Sequence, residues 1–154
     1  MAQATATPEA AGAAATEGVK EDVKVIGIVC NWCSYAGADG AGTARLKQPL
    51  NLRLVRVPCT GRIDPLLALK AFEKGADGVL VSGCHPGDCH YSEGNYYARR
   101  KLELLTRMLP HLGVEPDRFK YTWVSASEGA RWQQVVTEFV GKVKALGPRE
   151  GRAL

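Results

Sequence analysis

Three short apolar runs in this chain each stop at a cysteine, and the distances between the stops leave few folds open. Val25-Ile26-Gly27-Ile28-Val29 leads into Cys30, Leu52 to Pro58 into Cys59, and Gly78-Val79-Leu80-Val81-Ser82-Gly83 into Cys84. Cys59 follows Cys30 by 29 residues and precedes Cys84 by 25, the length of a strand, a crossover helix and the next strand. Parallel strands joined in this way finish at one edge of their sheet. Cysteines remote in sequence therefore converge along the edge where open α/β sheets bind ligands. A single free cysteine is commonly a small buried hydrophobe. Five of them at or just beyond strand ends, Cys33 and Cys89 included, read as a ligand set.

Helical periodicity fills the intervals. It predicts helices over about 35–47, 65–74, 94–112 and 127–146, and a fourth strand over about 118–124. Asp64 is an N-cap with Pro65 at the first helical position. Ala98, Leu102, Leu105, Met108, Leu109 and Leu112 share one helical face, and Val135, Val136, Phe139, Val140 and Val143 another. Ser125 and Glu128 have capping-box spacing. Four βα units with right-handed crossovers predict a single α/β domain with a mainly parallel four-stranded sheet, order 2-1-3-4, between helices in a flavodoxin-like three-layer arrangement. Residues 1–22, rich in Ala, Thr, Glu and Gly, read as a disordered tail. The domain then spans 23–147, and 148–154 form a C-terminal tail.

The 154 residues, 45% hydrophobic and 23% charged, suit one domain with an ordinary core. No run approaches the roughly 18 apolar residues of a membrane span, and no basic segment followed by an apolar one opens the chain. A cytoplasmic protein is the expectation. Five cysteines there point to metal or redox chemistry, since an odd count makes a poor disulfide framework. The net charge of +4 is mild, and Arg99, Arg100 and Lys101 are too few for a nucleic-acid footprint.

The densest chemistry lies in Gly83-Cys84-His85-Pro86-Gly87-Asp88-Cys89-His90. Three uses of the thiols compete. Cys30-Asn31-Trp32-Cys33 between a strand and a helix is the setting of a thiol-disulfide oxidoreductase, which leaves Cys59, Cys84 and Cys89 idle. Four thiolates suit a structural zinc, although a domain of this size has core enough without one. Four thiolates also hold an iron-sulfur cluster, a one-electron relay. On that reading four of Cys30, Cys33, Cys59, Cys84 and Cys89 are ligands. Cys84 and Cys89 share one iron, and the pair drawn from Cys30, Cys33 and Cys59 stays open. His85 and His90 read as hydrogen-bonding neighbours of the site, and Asp88 as a turn residue. No constellation of nucleophile, base and carboxylate appears elsewhere, so the chain by itself is expected to make no bonds on a substrate.

Several segments carry a family resemblance: Cys30-Asn31-Trp32-Cys33-Ser34-Tyr35-Ala36-Gly37-Ala38-Asp39, Arg56-Val57-Pro58-Cys59-Thr60-Gly61-Arg62-Ile63-Asp64-Pro65, Gly75-Ala76-Asp77-Gly78-Val79-Leu80, the segment from Gly83 to His90, and Gly94-Asn95-Tyr96. Over about Val25 to Leu146 the chain resembles the delta subunit of methyl-viologen-reducing hydrogenase. The resemblance implies a small [2Fe-2S] protein of anaerobic archaea and bacteria. It passes electrons between a hydrogenase or formate dehydrogenase and the iron-sulfur flavoprotein subunit of heterodisulfide reductase, in flavin-based electron bifurcation. Related domains beside heterodisulfide-reductase-like modules bring in methylenetetrahydrofolate reductase as another implied partner. Val29 stands where many relatives carry a second cysteine before Asn-Trp. Trp32, Tyr35, Tyr91, Tyr96 and Tyr97 surround the cysteine loops and are expected to supply a partner interface, with the basic helix at Arg99 and Arg100 as the alternative face.

Overall fold

The first apolar run forms the central strand because almost nothing in it needs water. In the computed structural model, which describes residues 23–149, β1 (Val25–Cys30) is buried along nearly its whole length. It pairs in parallel with β2 (Leu52–Val57) on one side and β3 (Gly78–Gly83) on the other, and β4 (Phe119–Trp123) continues the sheet beyond β3. The order is β2-β1-β3-β4 with every pair parallel, as the four βα units predict. Register levels the carboxyl ends: Cys30 lies opposite Val57, two residues short of Cys59, and Val29 opposite Ser82, two short of Cys84.

Alternation along the strands divides the core. Val25, Val29 and Leu80 pack with Trp132, Val136 and Phe139 under α1 (Ser34–Thr43) and α4 (Gly129–Leu146). Ile28, Val79 and Val81 pack on the other face with Phe72, Leu102 and Leu105 of α2 (Pro65–Glu73) and α3 (Gly94–Met108). Asp64 caps α2 by accepting from the Leu66 amide at 2.9 Å.

Three helix boundaries differ from the sequence pattern, each for a local reason. The first helix ends at Thr43 and not near Lys47, with Arg45 in the left-handed region at φ 56°. The third passes at Leu109 into a 3₁₀ turn reaching Leu112, because Pro110 has no amide to donate and clashes with the preceding turn. The last starts at Gly129: the Glu128 carboxylate folds back onto the Ser125 amide at 2.7 Å, so 125–128 is a turn outside the helix.

At the amino end of the sheet lies a buried polar fastening. The Asp77 carboxylate accepts from the amides of Lys24 and Arg149, both at 2.7 Å. The Arg118 guanidinium donates to the carbonyls of Asp77 at 3.1 Å and Gly147 at 2.8 Å, and to Glu115 at 2.6 Å. Arg149 donates to the Phe72 carbonyl at 3.0 Å and is buried. The fold therefore reaches Arg149, two residues into the segment that composition assigns to the C-terminal tail. The tail expected at 1–22 lies outside the described residues, as do residues 150–154. No helix among the described residues is long and apolar enough to cross a membrane.

Candidate metal centre

All five thiols meet at the carboxyl edge of the sheet, delivered by the turns after β1, β2 and β3. The Sγ atoms of Cys30, Cys33 and Cys84 lie within 4.8 Å of one another. Those of Cys59 and Cys89 lie 3.7 Å apart. Sequence spacing pairs Cys84 with Cys89; the folded chain instead turns at His85 to Asp88, where the Asp88 amide reaches the His85 carbonyl at 2.9 Å, and carries Cys89 over to Cys59.

Hydrogen-bond donors face most of the sulfurs. The hydrogen bond with Cys84, joined by the amides of Trp32, Cys33 and Thr60, outweighs burial and lowers the Cys30 pKa to about 5. The same bond, together with burial, drives Cys84 far up. Burial raises Cys33 to about 11. It also raises Cys59, although the Gly61 amide donates to that sulfur at 3.4 Å. Burial works against the Cys89 thiolate too, but the amides of Tyr91 and Asn95 and the Cys59 thiol overcome it and leave its pKa lowered. Amide donors of this kind spread the charge of bound thiolates and set the electronics of a metal–sulfur site.

The histidines lie outside the thiol groups. His85 Nε2 meets the Glu128 carboxylate at 2.6 Å, and that carboxylate is held below its usual range chiefly by the Ser125 amide, then by His85. His90 stacks on Trp32 with ring centroids 3.9 Å apart, and the Trp32 indole donates to the Tyr91 hydroxyl at 3.3 Å. Trp32, Tyr91, Tyr96 and Tyr97 are 45%, 54%, 44% and 49% exposed, while Tyr35 is half-buried beneath the Arg56 guanidinium. A cleft of about 440 Å³ between Arg62, Tyr91, Glu93 and Tyr97 leads down to Cys59.

Two supports escaped the sequence reading. Asn95, fully buried, donates to the His85 carbonyl at 2.5 Å and reaches the Cys84 carbonyl at 3.5 Å and its Sγ at 3.9 Å, so it fixes the turn that presents Cys84. Gly94 packs against the second thiol pair: a Cβ there would lie 3.0 Å from Cys89 Sγ and closer still to Cys59 Sγ. In the sequence they stand out only within Gly94-Asn95-Tyr96, a segment that carries the family resemblance without showing what either residue does.

The donor set suits iron held by sulfur. Thiolates converge without carboxylates among them, in two groups rather than about one point, and glycine leaves one pair the room it needs. Comparison with known proteins agrees with that chemistry. Residues 25–147 match the family model described as methyl-viologen-reducing hydrogenase, delta subunit. The vhc iron-sulfur subunit of the F420-non-reducing hydrogenase of Methanococcus voltae is 50% identical over 125 residues, 81% of this chain and 87% of that one. The iron-sulfur subunit of the F420-non-reducing hydrogenase of Archaeoglobus profundus is 49% identical over 124 residues, 80% of this chain and 90% of its own length. One component of the ferredoxin:CoB-CoM heterodisulfide reductase of Methanosarcina mazei is 43% identical over 124 residues, 80% of this chain but only 16% of that much longer protein.

Proposed function

This chain belongs to the family of methyl-viologen-reducing hydrogenase delta subunits, and from that premise we propose that it is a cytoplasmic [2Fe-2S] electron-transfer subunit. It relays electrons between a hydrogenase, formate dehydrogenase or methylenetetrahydrofolate reductase and the flavoprotein subunit of a heterodisulfide-reductase-type bifurcating complex. The observation that carries the reading is the division of the thiols into Cys59 with Cys89 and Cys84 with Cys30 and Cys33. A two-iron cluster asks for two thiolate pairs, whereas a single zinc asks for four ligands about one point. A relative named for heterodisulfide reductase that contains a like segment supports the choice of acceptor.

When bound, such a cluster supplies one-electron storage. The chain's own residues do the rest. The amides of Trp32, Thr60, Gly61 and Tyr91 and the Asn95 side chain present N–H groups to the sulfurs. Trp32, His90 and Tyr91 pack ring on ring beside the cysteine turns and offer an aromatic surface of the kind that interfaces use. Glu128 anchors the His85 turn to the start of α4.

Anaerobic purification tests the reading. About two irons and two acid-labile sulfides per chain, with an electron paramagnetic resonance signal on reduction, are expected. Colourless protein with one zinc would refute it, and so would iron-free protein that reduces disulfides through Cys30 and Cys33.

A further inference from the structure

A [2Fe-2S] site has four thiolate places and this chain has five cysteines. Cys59 and Cys89 belong together at 3.7 Å, with Gly94 packed against both. The other group holds one thiol too many. Its three Sγ atoms lie within 4.8 Å of one another, and with Cys84 presented by the turn that Asn95 fixes, Cys30 and Cys33 compete for the place beside it. Their surroundings differ. Cys30 Sγ donates to the carbonyl of Pro58, the residue before Cys59, at 3.9 Å. Cys30 is 1% exposed at the end of β1, whereas Cys33 is half-buried at the N-cap of α1.

We propose that Cys30, Cys59, Cys84 and Cys89 hold the cluster and that Cys33 is a reserve ligand, able to take the place of Cys30 beside Cys84. The proposal rests on the [2Fe-2S] reading. In the exchange the iron–sulfur bond to Cys30 breaks, one to Cys33 forms, and the Cys33 thiol proton passes to Cys30; no electron is gained or lost. Little movement is needed, because the three Sγ atoms already lie within 4.8 Å of one another. The segment that would move carries Trp32, whose exposed ring rests on His90 and Tyr91.

The test uses the full chain purified without oxygen, with iron, sulfide, resonance spectra and iodoacetamide labelling measured on each variant. Wild type should label at Cys33 alone. Cys33→Ala should keep its iron and spectrum and lose the label. Cys30→Ala should keep its iron with shifted resonance positions while Cys33 becomes protected from label, and Cys30→Ala with Cys33→Ala should lose the iron. If Cys30→Ala loses iron as fully as the double variant while Cys33→Ala is intact, the reserve role is overturned and the cluster reading stands. If Cys33→Ala itself loses the iron, the ligand assignment is wrong. Should circular dichroism find Cys30→Ala unfolded, the wild-type labelling decides: label at any cysteine other than Cys33 overturns the proposal.

Discussion

Gly94→Ala would push one methyl group into the space between two ligands. The new Cβ would sit 3.0 Å from Cys89 Sγ and nearer still to Cys59 Sγ, against an ordinary contact of about 3.5–4.0 Å. Cys59 cannot simply turn away, since Cys89 flanks it at 3.7 Å and the Gly61 amide holds it at 3.4 Å. A sulfur or the first turn of α3 must shift on the order of 1 Å, an overpacking cost of about 1–3 kcal/mol. The helix propensity of Ala over Gly returns up to about 1 kcal/mol. The fold should therefore lose only about 0–3 kcal/mol. Metal–ligand distances tolerate only about 0.2 Å, so iron binding should fall out of all proportion to stability. Urea denaturation run beside iron, sulfide and resonance measurements separates the two effects. Gly78→Ala, at the opposite end of β3, is the control: its Cβ would lie 2.6 Å from Val143 Cγ2, so it should lower stability while leaving iron alone. Wild-type iron in Gly94→Ala would refute the packing argument, and equal iron loss in Gly78→Ala would reduce it to general instability.

Asn95→Leu should lower the cluster's reduction potential, because the N–H that reaches Cys84 Sγ favours the more negative, reduced state. It should also destabilise the chain by about 0.5–1.5 kcal/mol, through the loss of one of the two hydrogen bonds to the His85 carbonyl, which keeps the Asp88 amide; a mediated redox titration and a urea melt read the two. The Arg118 hydrogen bond holds the Glu115 carboxyl below its usual pKa, so the contribution of that pair is complete above the ordinary carboxylate range and is lost as pH falls through the lowered pKa. Glu115→Gln should flatten that acid limb in stability measurements taken from about pH 6 down to about pH 3. Trp32→Ala or Tyr96→Ala should weaken co-purification with the proposed flavoprotein partner while iron content holds. Unchanged complex yield would move docking to another face, such as the helix surface at Arg99 and Arg100.

Much of the fold was legible because its determinants are local. Val25 to Val29 and Gly78 to Val81 are apolar without interruption, as strands covered on both faces are, and Asp64-Pro65 marks a helix start that the Leu66 amide confirms. Convergence of the thiols followed from parallel strand ends alone. Their grouping did not, because it depends on a turn at His85 to Asp88 whose direction no periodicity encodes. The roles of Asn95 and Gly94 were hidden for a related reason. Gly94 is a first-turn helical glycine until Cys59, 35 residues earlier, is folded against it. Arg149 looked like tail because its partners, Asp77 and Phe72, lie on the far side of the chain sequence.

The fastening at the amino end of the sheet bears on how this domain can be wired into larger proteins. Lys24 and Arg149 bind opposite oxygens of the same Asp77 carboxylate, so the described chain enters and leaves at one spot. The thiols lie at the far end of the strands, some five residues or about 17 Å of β3 away. Domains whose ends lie side by side can be inserted into or joined onto other polypeptides with little disturbance. Here the seam falls at the rim opposite the sulfur ligands, so splicing leaves the electron-carrying end untouched. The same unit can then serve as a separate protein or as one segment of a long polypeptide, the two arrangements found in its hydrogenase and heterodisulfide reductase relatives.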